Sequence, residues 1–331
     1  MRIVALEEHF MAPDLVLAMD PGLIAARGYP GPEEELGPME RRQALADLGE
    51  GRLRLMDAAG ISLQVLSVAG PGADLLPPVE GLGVARELND RLARVIGAHP
   101  GRYAGFAHLP MTAPKAAADE LERAVRAFGF HGAMIKGLTA GRFLDDPVFA
   151  PILARAETLN VPIYLHPGIP PAAVREAYYD GLPGNLPFMM ATAGWGWHAE
   201  TAVHVLRLVL SGTLDRYPNL QLIIGHMGEG LPAMLARCDQ AFGGETPRFL
   251  QRSVSQTILD QVYVTTSGFF TMPPFMAALL TFGADRILFS VDYPFSQNAS
   301  GRAFLDSLPV SSADKIKIAH GNADRLLRLA V

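Results

Sequence analysis

The sequence predicts an α/β fold, a distorted (β/α)8 TIM barrel with an insertion on its catalytic face. Three observations lead there. Short apolar, β-branched segments alternate with amphipathic ones eight times along nearly the whole chain. Several apolar segments end on an acid or an imidazole: Glu7 and His9 close RIVALEEH, His166 closes VPIYLHP, His226 closes LQLIIGHMGEG, and Asp292 closes RILFSVDYP. In a parallel barrel such carboxyl ends converge on one face, where active sites are built. Finally, one barrel commonly uses a chain of 331 residues, so 1–331 is read as a single domain.

The expected strands run over 2–6, 62–67, 103–108, 131–136, 161–165, 220–224, 261–265 and 286–290. Segments 40–60 and 112–129 between them are amphipathic. The second places Ala118, Leu121, Ala124 and Val125 on one side at helical spacing. Gly60 and Gly129 stand where these helices should stop. Two stretches break the rhythm: 10–39, rich in Pro and Gly, and 167–196, directly after His166. A long insertion at that place is a lid, a pocket wall or a subunit contact. Its aromatics (Tyr178, Tyr179, Phe188, Trp195, Trp197) either line a pocket for a flat substrate or pack the insertion itself.

Composition excludes several classes of function. The chain is 49% hydrophobic with a formal net charge of -6 and one cysteine. A core of this size needs no disulfides, and Cys238 in a helical stretch reads as a buried small hydrophobe. No Lys/Arg stripe points to nucleic acid. No apolar run reaches the roughly 18 residues that a membrane span needs, so a cytoplasmic protein is expected.

The chemistry starts from strand alternation. Glu7 and His9 face one side and Glu8 the other, so Glu7 is the better ligand candidate although Glu8 is chemically identical. An acid and an imidazole two residues apart can share one cation, whereas the bland alternative is a solvent-exposed strand end. A lone His166 would be a hydrogen-bonded structural residue. His226 stands in GHMGEG, where glycines let the backbone approach closely. Asp292 ends an apolar segment, a costly place for a carboxylate unless it is paired, protonated or metal-bound. Together these positions make a metal site with His, Asp and Glu ligands the leading reading.

In order along residues 2 to about 329, VALEEHF, YLHP, ETAVHVLRLVLSG, IIGHMGEGLP, TTSGFF and GADRILFSVDYPF resemble the amidohydrolase superfamily. More narrowly they resemble its decarboxylase branch, typified by γ-resorcylate (2,6-dihydroxybenzoate) and 2,3-dihydroxybenzoate decarboxylases. Hydrolases of the wider superfamily usually start with HxH, and Glu7 at the first position is the mark of the branch. The resemblance implies one divalent ion, zinc or manganese, held by Glu7, His9, His166 and Asp292. It further implies Asp292 as proton donor, His226 controlling its protonation, and Glu229 orienting His226. Arg52 matches an arginine of the branch and either engages an anionic substrate group or serves a structural salt bridge. Trp195, Trp197 and Phe295 are counted as substrate contacts. Homodimers or homotetramers are the expected assemblies.

Two departures stand out. GAMIKGL places Lys136 where the branch carries asparagine, so Lys136 binds a substrate carboxylate or phenolate or pairs with a metal-site acid. His198 replaces a small residue and reads as a substrate contact or, slightly favoured, an ordinary helix-start residue. The implied reaction is non-oxidative decarboxylation of an ortho-hydroxybenzoate-type acid, reversible as phenol carboxylation. The alternative is metal-dependent hydrolysis of a lactone or related ester-like bond, with a non-enzymatic barrel as a third reading.

Overall fold

Among the described residues, eight short strands, all parallel to their neighbours, form two sheets. The computed structural model describes residues 1–29 and 38–329; part of the expected 10–39 interruption lies outside them. The first sheet joins β1 (Val4–Phe10), β2 (Leu63–Val68) and β3 (Tyr103–Gly105). The second joins β4 (Ala133–Lys136), β5 (Ile163–His166), β6 (Leu222–Ile224), β7 (Val262–Thr265) and β8 (Ile287–Leu288). Single parallel bridges, Leu6 with Ser290 and Ala107 with Ala133, link the two sheets at both seams. The ring is thus a distorted eight-stranded barrel, thinly stitched at two places.

Alternation along the strands sorts the apolar side chains into two layers. Val4, Leu6, Val65, Phe106, Met134, Tyr164, Ile223 and Leu288 pack together inside the ring. Their sequence neighbours Ala5, Leu66, Ile135, Leu165 and Ile224 join the larger core under the helices. Each fully buried aliphatic side chain contributes roughly 1.5–3 kcal/mol, so the two layers dominate stability.

Helix Pro114–Phe128 buries Ala118, Leu121 and Ala124 as the spacing predicts, with Val125 partly buried beside them. Gly60 and Gly129 end their helices in the left-handed conformation, at φ 68° and 70°. The 40–60 segment, by contrast, is two helices, Met39–Ala46 and Glu50–Ala59. The Asp47 carboxylate accepts from Gly49 N at 2.9 Å, a local turn that competes with helix and breaks it there. The insertion after β5 carries helices Ala172–Tyr178 and Leu186–Ala191 before the long helix Gly196–Leu210. Among the described residues, no helix is long and apolar enough to cross a membrane.

Candidate active site and metal centre

At the strand ends the backbone bends in ways that aim polar side chains inward. β1 contains an extra residue between Ala5 and Glu8, a bulge centred on Glu7, whose φ is 61°. Glu7 Oε2 then accepts from Tyr164 Oη and Ser267 Oγ, with Thr265 Oγ1 at 3.4 Å. That leaves Oε1, buried and without a hydrogen-bond partner among the described residues, 3.2 Å from His166 Nε2. His9 is held through Nδ1 by Ser67 Oγ at 3.1 Å, and its Nε2 is also unsatisfied, 3.3 Å from Asp292 Oδ1. His166 Nδ1 meets Pro167 O at 2.8 Å, which likewise frees Nε2.

Glu7, His9 and His166 each present a ligand atom within 4.8 Å of the others. Two imidazole nitrogens and a carboxylate oxygen, each side chain fixed from behind and two of the three atoms buried and unpartnered among the described residues, suit a divalent cation. Burial opposes the Glu7 carboxylate, but the electrostatic pull of the His226, His166 and His9 imidazoles around it outweighs that and holds its pKa well below the ordinary value. Burial pushes His9 well below its usual value, keeping the imidazole neutral as a ligand requires. Burial and the nearby Glu7 charge raise the Asp292 carboxyl well above the normal range, against the pull of His226.

Glu8 points elsewhere. It is fully buried, accepts from Val291 N at 2.8 Å and Tyr293 N at 3.2 Å, and receives Gln64 Nε2 at 3.3 Å. Burial lifts its pKa to about 8 against those N–H groups and Arg52. A solvent-exposed strand end is therefore not what the acids form.

Behind the Glu7–His9–His166 group lies a histidine pair. His226 sits in a left-handed run with Met227, Gly228, Glu229 and Gly230, and its Nδ1 meets Glu229 Oε1 at 2.7 Å. The other Glu229 oxygen takes His198 Nδ1 at 2.5 Å. Burial disfavours the His226 imidazolium, yet Glu229 and Glu7 raise its pKa to about 10. These three residues also bring ligand atoms within 4.8 Å of one another. Their short imidazole–carboxylate bonds describe a hydrogen-bonded His–Glu–His unit. His198 is therefore not merely a helix-start residue: the turn Gly194–Gly196 swings its ring beside His226, with centroids 5.0 Å apart.

A cavity of about 640 Å³ opens above these groups. His9, His166, His226, Asp292, Lys136, Trp197 and Phe295 face it, joined by Phe188 from the insertion, Phe269, His198, Tyr29 and Arg41. Phe295 lies edge-on to His9 at 5.7 Å, and the Arg41 guanidinium lies 5.5 Å from the Phe295 ring centroid. The buried Trp197 Nε1 has no acceptor among the described residues and offers a donor.

Two expected substrate contacts lie elsewhere. Arg52 is fully buried behind β1, where Nη1 donates to His9 O at 2.7 Å, Nε to Gln64 at 2.8 Å, and its guanidinium lies over Tyr293 at 4.7 Å. The apolar packing that sets the depth of helix Glu50–Ala59 puts it there, as a brace for the His9 strand end. Trp195, at the start of helix Gly196–Leu210, is 57% exposed and off the cavity wall; exposed Tyr178 and buried Tyr179, at the end of helix Ala172–Tyr178, do not line the cavity either.

Sequence reasoning missed Tyr164, Ser67, Thr265 and Ser267, which hold the ligands from behind. Tyr164 was findable, since it stands two residues before His166 on one strand and so shares its face. TTSG carried Thr265 and Ser267 with no role attached. Tyr29 and Arg41 gave no signal, because only the fold brings Tyr29, just past helix Pro21–Ala26, and Arg41, in helix Met39–Ala46, to the cavity.

An amidohydrolase family model matches residues 9–329. The chain is 37% identical over 336 residues to a gamma-resorcylate decarboxylase of Rhizobium sp. (strain MTP-10005), covering 98% of each chain. It is similar to the crystal structure of 2,6-dihydroxybenzoate decarboxylase complexed with 2,6-dihydroxybenzoate, with TM-score 0.87, 36% identity, and 99% and 100% of the chains covered. A dihydroxybenzoic acid decarboxylase from Polaromonas sp. JS666, with bound manganese and the inhibitor 2-nitroresorcinol, also matches at TM-score 0.87 and 36% identity, covering 99% and 97%.

Proposed function

Because this chain belongs to the amidohydrolase family, we propose that it is a metal-dependent, non-oxidative decarboxylase of hydroxylated aromatic acids, run in reverse as a phenol carboxylase. The observation that carries the reading is the Glu7–His9–His166 cluster meeting Asp292 at the floor of an aromatic-walled cavity. Relatives named as decarboxylases favour this over the hydrolase.

Glu7 Oε1, His9 Nε2, His166 Nε2 and Asp292 are the residues that would hold one divalent ion, manganese or zinc. When bound, such an ion neutralises and orients the substrate carboxylate and its ortho oxygen. Trp197 and Phe295, both on the cavity wall, offer apolar surface to the substrate ring. Asp292, carrying a proton, delivers it to the carboxyl-bearing ring carbon. The carbon–carbon bond then breaks, its electron pair restores the aromatic ring, and carbon dioxide leaves. His226, positioned by Glu229, returns a proton to Asp292 for the next cycle. Glu229 in turn is held by His198.

The test is carbon dioxide release from ortho-hydroxybenzoates by metal-replete enzyme. Release that stops on chelation and returns with manganese is expected. Stoichiometric metal with no release from any member would shift the reading to lactone hydrolysis.

Assembly and location follow the same reading: a cytoplasmic homodimer or homotetramer. Leu182, Leu186, Met190 and Trp195 of the insertion are each exposed large apolar side chains, of the kind that subunit contacts cover. Sedimentation should report two or four chains, and a monomer at micromolar concentration would refute the assembly.

A further inference from the structure

We infer that His198 is a positioning residue that ties the insertion after β5 to the proton-handling pair, with one ring nitrogen on each. The inference rests on the decarboxylase reading and adds a part to it. A single side chain sets both the substrate-facing wall and the Glu229 carboxylate that aims His226.

Two hydrogen bonds carry the argument. His198 Nδ1 meets Glu229 Oε2 at 2.5 Å, and Nε2 meets the backbone oxygen of Ala193 at 3.1 Å. A backbone carbonyl only accepts, so Nε2 donates. Burial opposes the Glu229 charge, but His226 and the hydrogen bonds from both imidazoles hold its carboxyl below the ordinary value. An ionised carboxylate also only accepts, so Nδ1 donates as well. Both ring nitrogens therefore carry hydrogen, and the imidazolium is a brace with a partner at each end. The His226 and Phe269 rings lie edge-on to it at 5.0 and 5.2 Å and fix its plane.

Ala193 belongs to the joint between helix Leu186–Ala191 and helix Gly196–Leu210. The joint is drawn tightly onto the first helix: Gly194 N donates to Met189 O at 2.9 Å and Trp197 N to Thr192 O at 3.2 Å. A Cβ on Gly194 would come 2.6 Å from Met189 O, and one on Gly196 would come 2.3 Å from Ala191 O. Glycine permits that approach, which brings Ala193 O within reach of a ring five residues on. Phe188, Met189 and Ala193 line the cavity together with His198. The wall beside the substrate is thus held in register with Glu229 through the imidazole. A small residue at position 198 could hold neither group. The amide of asparagine reaches about where Nδ1 stands and falls short of Nε2, so it could hold Glu229 alone.

The test compares wild type with His198→Ala and His198→Asn, all manganese-loaded, on 2,6-dihydroxybenzoate. Losing two charge-assisted hydrogen bonds, His198→Ala should lower kcat about 10- to 100-fold and raise KM about 10-fold. His198→Asn should recover most of kcat and leave KM raised, because it keeps Glu229 and releases Ala193. Rescue of KM by asparagine, or no rescue of kcat, would overturn the inference. Hydrogen–deuterium exchange of the same metal-loaded proteins without substrate needs no turnover. Peptides across 186–195 should exchange about 10-fold faster in both variants, with β5 and β6 unchanged. Unchanged exchange across 186–195 would overturn the tie, and so would faster exchange throughout the chain. If wild type releases carbon dioxide from no ortho-hydroxybenzoate, the decarboxylase reading fails, and the exchange comparison still decides the tie.

Discussion

Alanine at position 9 should empty the metal centre and stop the enzyme. His9 brings an imidazole Nε2 that nothing among the described residues satisfies, held in aim by Ser67 Oγ on Nδ1 at 3.1 Å. Removing the ring deletes a ligand outright and frees Asp292 from its 3.3 Å contact. Loss of a metal that supplies several kcal/mol of charge stabilisation is worth on the order of 10³-fold or more in turnover. The fold should persist, because the ring packs at the cavity and not in either apolar layer. Metal content by atomic emission and carbon dioxide release, measured on the same His9→Ala preparation, check the result. Full activity in that variant would remove His9 from the metal centre.

His226→Asn should separate metal binding from turnover. His226 faces the cavity, but its Nδ1 is taken by Glu229 at 2.7 Å and its Nε2 stands 3.7 Å from Glu7 Oε1. It therefore lies beside the ligand cluster. Asparagine tolerates the left-handed backbone at this position, so the loop should hold its shape. Without the imidazole, proton return to Asp292 fails, a loss of about 10²- to 10⁴-fold typical of general acid–base groups. Metal content should stay near that of the unmodified protein. If the metal leaves with the ring, His226 is a ligand and the proton path proposed above is wrong.

Much of the fold was readable because strand alternation, helix periodicity and glycine caps are local. The eight strand expectations each meet a strand, though β3 to β8 are all shorter than predicted, β3 and β8 most of all, at Tyr103–Gly105 and Ile287–Leu288. Near the seams, single bridges replace continuous ladders, which no local pattern encodes. The Glu7–His9–His166 grouping was likewise legible, because strand ends of a parallel barrel share a face. Arg52 was not, since its place depends on how deeply a helix packs, a tertiary matter. His198 misled for a related reason. Its role comes from Glu229, distant in sequence, whose second carboxylate oxygen is free to receive it.

The left-handed backbones at Glu7, His226, Glu229 and Asp292 have a consequence for how this chain can vary. Such a conformation costs a side-chain-bearing residue on the order of 1–3 kcal/mol, and glycine escapes that cost. Screening for thermal robustness alone would therefore reward glycine at the very positions where acids and imidazoles are needed. A library sorted only by stability should drift toward well-folded barrels that have lost their chemistry, so an engineer who wants a hardier catalyst must hold these four sites fixed and look for gains elsewhere.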